Sequence, residues 1–306
     1  MGIEQDLASI APEKETLLTI GIFDGVHAGH RYLIEKLNQR AQGNNLLSGV
    51  ITFSTHPQAV LQPHNKPSWL NRLEDRVKTI RELNVGLVTV LSFTPELAEL
   101  SAQEFVTLLK KYLKMRGLVI GPDFALGRGR EGDVNLLHAL GQKMEFSVEI
   151  VPPFTINGEI VSSTLIRHTL AHGDMIKVKK LLGRYFTLSA KVISADKRGK
   201  RLGFPTANLD IIPGQALPKN GVYASVTYMS GKRFISATNI GTRPTFGGGE
   251  KFVETHLLNY EGNLYGKHIE VDIIDKLRDE KRFASVKELK AQIAKDIDRV
   301  ASLNLK

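Results

Sequence analysis

Ten residues constrain this chain more than any others: Gly21-Ile22-Phe23-Asp24-Gly25-Val26-His27-Ala28-Gly29-His30. The apolar run Leu17-Leu18-Thr19-Ile20 precedes them and reads as a buried parallel strand, while Leu33, Ile34 and Leu37 follow on one helical face. The stretch is therefore a strand-to-helix turn, in which glycines 21, 25 and 29 let the backbone bend tightly and let a ligand approach it. A helix N-terminus offers unpaired N–H groups and a partial positive charge, which suits a phosphate. His27 and His30, three apart, point to one side and could stabilise charge developing on a phosphate under attack. Histidines near a helix start are common, so the pair gains its weight from the strand, glycines and helix around it.

The rest of the first half repeats that alternation. Residues 46–53 form an apolar run ending in Ser54-Thr55-His56-Pro57, a helix follows over 72–83, and a strand over 86–93. Residues 101–113 read as a helix with Ser101 as N-cap and Glu104 completing a capping box. Further strands fall at 118–120 and 146–151. Strands alternating with helices of this length indicate a doubly wound parallel sheet, in which ligands bind beyond the carboxyl ends of the strands. The His27 turn, His56 and Asp123 all lie at such ends. Gly127, Gly129 and Gly132 spell GxGxxG, but they neither close a strand directly nor belong to the first one, so we set a dinucleotide fingerprint aside. In Val161-Ser162-Ser163-Thr164-Leu165-Ile166-Arg167, a plain N-cap serine accounts for the hydroxyls. The functional alternative is a second phosphate-facing helix N-terminus, with Arg167 reaching a phosphate bidentately. The helix pair ends at Gly183, a C′ glycine, where we expect the domain boundary.

Beyond Tyr185 the pattern changes to strand-like runs at 186–194, 221–228, 233–239, 252–258 and 268–274, then an amphipathic helix at 286–303. So many short antiparallel strands in so short a stretch point to a small closed barrel. The basic glycine loop Arg198-Gly199-Lys200-Arg201 leads into Leu202-Gly203-Phe204-Pro205-Thr206-Ala207-Asn208. Thr206 and Asn208 offer oxygens suited to Mg²⁺ with phosphate, or else simply cap a turn. Alternation puts Phe252, Glu254 and His256 on one strand face and Val253, Thr255 and Leu257 on the other. A solvated glutamate is the ordinary outcome there; in a barrel mouth it could orient a substrate hydroxyl. The chain contains no GxxxxGK[ST] sequence, so any kinase here is of another kind.

Composition trims the alternatives. With 306 residues, 42% of them apolar, the chain can fill two cores. The absence of cysteine excludes disulfides, thiolate metal sites and a cysteine nucleophile, and suits the cytoplasm. No apolar run reaches transmembrane length, and the first residues carry neither a signal-peptide pattern nor a myristoylation signal, Asp6 standing where the latter needs Ser or Thr. The net charge of +9 includes Lys177-Val178-Lys179-Lys180 and the basic loop. These clusters are short and lack interleaved aromatics, so small anionic substrates explain the charge as well as nucleic acid would, and neither nucleic acid nor membrane is an expected partner. Oligomeric state is not legible.

The ordered set GIFDGVHAGH, ITFSTHP, GPDFALGRGREGD, SSTLIR, LGFPTAN, GVYA, NIGTRPTFGG, VETHLLNYEGNLYG and LRDEKRFAS resembles bacterial bifunctional riboflavin kinase/FAD synthetase, over essentially the whole chain. The resemblance implies a nucleotidyltransferase-like N-terminal domain, residues 1–183, that adenylylates FMN to FAD. It further implies a riboflavin kinase barrel with a C-terminal helix, residues 184–306. It implies that His27 and His30 stabilise the α-phosphate of ATP. Phe23, Asp24, Gly25, Asp123, Ser163, Thr164 and Arg167 would help hold nucleotide or flavin. In the kinase half, Gly203, Thr206 and Asn208 would hold ATP phosphates, the latter two with Mg²⁺. Glu254 would act as base for the ribityl hydroxyl, and Arg278 and Phe283 would lie near the isoalloxazine. Both reactions are in-line displacements at phosphorus, needing positioning and charge neutralisation rather than a covalent nucleophile. Three departures stand out: Leu126 replaces an aromatic, Thr55 a proline, and Ala195 a glycine. Two rivals compete with this reading. A nucleotidyltransferase for another phosphate ester leaves the PTAN barrel unexplained. A flavin-binding regulator would have no need of His27, His30, Arg167, Thr206, Asn208 and Glu254 together.

Overall fold

Leu17, Leu18 and Ile20 are buried on both sides of their strand, which makes β1 (Thr16–Ile20) the centre of its sheet. The computed structural model describes residues 3–62, 64, 67–194, 202–243 and 250–303. It divides into two compact units, Met1–Pro67 with Leu73–Ser162, and Ser68–Arg72 with Ser163–Lys306.

In the first unit, α1 (Ile3–Ala8) and β1 lead to α2 (Ala28–Gly43) and β2 (Leu47–Phe53). Short α3 (Pro57–Leu61), α4 (Leu73–Arg81) and β3 (Leu87–Leu91) follow, then α5 (Pro95–Ala98), α6 (Ala102–Leu113) and β4 (Met115–Ile120). The unit closes with α7 (Val134–Met144), β5 (Ser147–Ile150) and the small ribbon β6 (Thr155–Ile156) and β7 (Glu159–Ile160). The sheet order is β3-β2-β1-β4-β5, and every pairing is parallel. Strand alternation sends Leu18, Ile20, Ile51, Leu118 and Ile120 to one face, where Phe105, Leu109 and Leu137 cover them. Leu17, Val50 and Val119 go to the other, against Ile34, Leu37 and Ile80. The chain builds outward from β1 to β3, then returns to the opposite side of β1, so β1 borders the topological switch point. The expected capping box at Ser101 and Glu104 is formed.

The second unit begins with α8 (Ser163–His172) and α9 (Met175–Leu182), closed by Gly183 at φ 71° as expected of a C′ glycine. Then come β8 (Phe186–Ile193), β9 (Ala207–Leu209), β10 (Gly221–Met229), β11 (Lys232–Arg243), β12 (Glu250–Leu257), β13 (His268–Arg278) and α10 (Val286–Ser302). The strands close into a barrel of order β10-β11-β12-β9-β8-β13. Part of its interior is polar: Ser225, Thr227, Ser236, Thr238 and Thr255 are wholly buried and bonded hydroxyl to hydroxyl. A satisfied network of this kind avoids the cost of buried unpaired hydroxyls. Outside, Val300 of α10 packs with Val222, Ala224 and Leu277. The compact units divide between Ser162 and Ser163, ahead of the change of pattern at Gly183. The physical reason is that the buried face of α9 (Met175, Val178, Leu181 and Leu182) rests against β8 and β13.

Candidate active sites

The turn after β1 is wound tightly: Phe23, Gly25 and Val26 have φ of 52°, 78° and 39°, and Phe23, Asp24, Gly25, Val26 and His27 are buried. Three left-handed residues in four, one of them β-branched, persist only where the surroundings over-determine them. His27 caps α2, its Nδ1 accepting from the His30 backbone N–H at 3.3 Å. In the neutral ring this puts the proton on Nε2, which is then a donor. The imidazoles of His27 and His30 stack at 3.6 Å between centroids, 16° from parallel, and Phe23 leans on His30 at 5.0 Å. Gly29 leaves room for the stack, since a Cβ there would lie 3.2 Å from the His27 ring and from the Val161 carbonyl and would press on both. Part of His30 reaches solvent, but its Nδ1 is enclosed without a partner. Burial first, then His27 and Arg76, hold the His30 pKa well below the ordinary histidine range, so its ring is neutral. The structure thus places a stacked histidine pair, with His30 neutral, at the carboxyl end of the central strand, on the turn that carries Phe23, Asp24 and Gly25.

The other candidates of this unit scatter more. His56 caps α3 through its Nδ1 to the Gln58 N–H. Asp123 is exposed, its carbonyl accepting from Arg130. The GxGxxG glycines lie in a loop folded on the start of α6. Arg128 N–H donates to the Leu100 carbonyl, the Ala102 N–H donates to Glu131, and a Cβ at Gly127 would meet the Ala102 nitrogen at 2.5 Å. Gly127 and Gly132 serve packing, and Gly129, at φ 60°, serves the turn.

In the second unit, α8 starts at Ser163, with exposed Thr164 beside it, and Arg167 Nε donates to the Ser68 carbonyl at 2.6 Å. In the barrel, the strand register aligns Asn239, Glu254 and Asn208 as direct neighbours across β11, β12 and β9. Val253, Thr255 and Leu257 are buried, whereas Phe252, Glu254 and His256 are half-buried on the outer face. Thr206 and Asn208 likewise flank buried Ala207. Gly203, at φ 91°, turns the chain into this segment. The His256 Nδ1 meets the Pro205 carbonyl at 2.7 Å, and its ring stands edge-on to Phe204. Arg278 is engaged by the C-terminal helix: its Nε and Nη2 donate to the Asp296 carboxylate, and its guanidinium lies 5.9 Å from the Phe283 ring.

Two family models match the chain, FAD synthetase over residues 9–165 and riboflavin kinase over residues 182–304. The chain is 40% identical to the bifunctional riboflavin kinase/FMN adenylyltransferase of Escherichia coli (strain K12), covering 94% of this chain and 92% of that one. It is 37% identical to the protein of the same name from Haemophilus influenzae, over 92% of each.

The chain belongs to this bifunctional riboflavin kinase/FMN adenylyltransferase family.

A crystal structure from Streptococcus pneumoniae, titled a macrolide-efflux protein, superposes with a TM-score of 0.89 at 27% identity, covering 97% of each chain. Among the described residues here, no helix is long and apolar enough to cross a membrane. Of the departures from the family pattern, Leu126 is a core residue of the adenylyltransferase half, buried among Ala102 and Leu137, and Thr55 is exposed. Ala195 and the basic loop 198–201 of the kinase half lie outside the described residues. Sequence reasoning missed Arg76, Asn239, His256 and Asp296. The charge of Arg76 gives no sign of burial even though Ile80 of the same helix is buried, and cross-strand neighbours are invisible until the register is known.

Proposed function

We propose that the two activities of this family reside in the two sites just described, with the division between their stretches at Gly183. The chain is a riboflavin kinase and an FMN adenylyltransferase, with ATP, riboflavin and FMN as substrates and FAD as product. Residues 1–183 carry adenylyl transfer and residues 184–306 the kinase, in a protein of the cytoplasm.

In the first site, an oxygen of the FMN phosphate attacks the α-phosphorus of ATP, a P–O bond forms, and the bond to pyrophosphate breaks. His27, donating from Nε2, and neutral His30 stabilise the charge that gathers on the α-phosphate. Phe23, Asp24 and Gly25 shape the turn, while Asp123, Ser163, Thr164 and Arg167 bind nucleotide and flavin phosphate. In the second site, the ribityl 5′-hydroxyl attacks the γ-phosphorus as Glu254 takes its proton, and ADP leaves. The loop from Gly203 holds the ATP phosphates, and Arg278 with Phe283 borders the isoalloxazine. Thr206 and Asn208 present a hydroxyl and a carboxamide oxygen on one face, the hard donors that Mg²⁺ accepts. Bound there, Mg²⁺ would neutralise phosphate charge.

The observation that carries this reading is the His27–His30 stack at the switch point of the sheet. The test is a double separation. With riboflavin, ATP and Mg²⁺, His27→Ala/His30→Ala should stop at FMN, the loss of such donors lowering adenylylation by on the order of 10²–10³. Glu254→Gln should form no FMN from riboflavin, yet convert supplied FMN to FAD. FAD formation by the histidine variant at the parent rate, or loss of both activities in folded Glu254→Gln, would overturn it.

A further inference from the structure

One buried charge in the adenylyltransferase half has no part in the chemistry above. Arg76, on α4, is 1% exposed and ranks among the largest fully buried side chains of the protein. A charged side chain almost never sits so deep without bonds that compensate it. Its bonds lead to the active turn. Nη1 donates to the Ile22 carbonyl at 2.9 Å and Nη2 to the Phe53 carbonyl at 2.7 Å. Ile22 lies two residues past β1, inside the turn that carries the histidines, and Phe53 is the last residue of β2. The Thr52 hydroxyl also donates to the Ile22 carbonyl, so this oxygen is gripped from two elements.

We propose that Arg76 is a positioning residue for adenylyl transfer: its guanidinium ties the ends of β1 and β2 together and fixes the turn that presents His27 and His30. The inference rests on the reading of those histidines given above. The planar fork of arginine suits two carbonyls on neighbouring strands, whereas lysine offers one point of charge. The turn needs such a clamp, since its left-handed residues at 23, 25 and 26 relax once their surroundings loosen. Arg76 also acts through its charge. Among the described residues, His27 and Arg76 are the titratable groups acting on His30, both disfavouring its protonation, while Asp24 and Glu74 act on Arg76. A group whose folded pKa is depressed protonates only at lower pH. Removing the cation therefore raises the His30 pKa and moves the acid limb of the rate profile to higher pH.

The test uses the full-length chain, whose riboflavin kinase activity and thermal unfolding report independently on folding. Arg76→Met should leave riboflavin phosphorylation at the parent rate. It should lower the kcat of adenylylation by about 10² with a smaller change in the KM for FMN, as expected of misplacement by about an ångström. Its acid limb should move up. Arg76→Lys should keep the acid limb in place yet remain slower than the parent by about tenfold, because one ammonium cannot span both carbonyls. If Arg76→Met does not fold, Arg76→Lys carries the test, and parent-rate adenylylation by it would overturn the clamp. A loss of rate in Arg76→Met without movement of the acid limb would reduce Arg76 to a structural support and overturn it also. His27→Ala/His30→Ala runs alongside. If that variant still makes FAD, the reading of the histidines fails; if it does not, but Arg76→Met does at full rate, only the present inference fails.

Discussion

Gly29 shows how one hydrogen decides a site. The space beside its Cα is already taken by the His27 ring and the Val161 carbonyl, each 3.2 Å from where a Cβ would stand. Gly29→Ala should therefore displace the His27 ring by a few tenths of an ångström and slow adenylylation of FMN, by less than the roughly 10²-fold that a full ångström costs. Riboflavin phosphorylation, measured on the same sample, should be unchanged; parent-rate FAD synthesis from FMN would contradict the packing argument. His256 plays a comparable part in the other half, its Nδ1–H held by the Pro205 carbonyl of the segment that carries Thr206 and Asn208. His256→Ala loses one hydrogen bond, worth about 1 kcal/mol. Kinase kcat/KM for ATP should fall roughly fivefold, with adenylylation of supplied FMN unaffected. Identical steady-state constants in the variant would show that the segment holds its shape without His256.

At the scale of elements, the C-terminal helix is fastened by a polar contact. The Asp296 carboxylate, 7% exposed, accepts from Arg278 of β13 and from Gln292 one turn earlier on the same helix. Asp296→Ala strands the partly buried Arg278 guanidinium and should destabilise the barrel unit by about 3 kcal/mol. Because Arg278 and Phe283 are the residues proposed to border the flavin, the KM for riboflavin should rise with it. Urea unfolding and kinase kinetics check the two effects together. An unchanged midpoint would mean that the apolar contacts of Val300 alone secure the helix. Elements with strong local signals were legible in the sequence: the parallel strands, the capping box at Ser101 and the Gly183 terminus all stand where spacing put them. Strand β9 was not, because three residues following a proline carry no alternation long enough to recognise, and it exists only as a partner for β12 and β8.

For the whole molecule, the division of the chain into compact units is open to direct measurement. Helices α8 and α9 belong by contact to the barrel unit, with Leu170, Met175, Val178 and Leu181 buried. Fragments 163–306 and 184–306 should both fold, but the longer should melt higher by on the order of 10 °C, since losing several buried side chains costs a few kcal/mol. Equal melting temperatures by circular dichroism would show that the two helices contribute nothing to the barrel. The sequence by itself determined what short-range physics controls: the alternation that makes a parallel sheet, the later change to short antiparallel strands, and the glycine-punctuated turn with its two histidines. Only the tertiary structure decided what depends on partners distant in the chain. It buried Arg76 against the Ile22 and Phe53 carbonyls, aligned Asn239, Glu254 and Asn208 across three strands, and bound Arg278 to Asp296. Period and propensity act over a few residues, whereas a buried charge or a strand register is set by whichever remote segment fills the remaining space and satisfies the remaining hydrogen bonds.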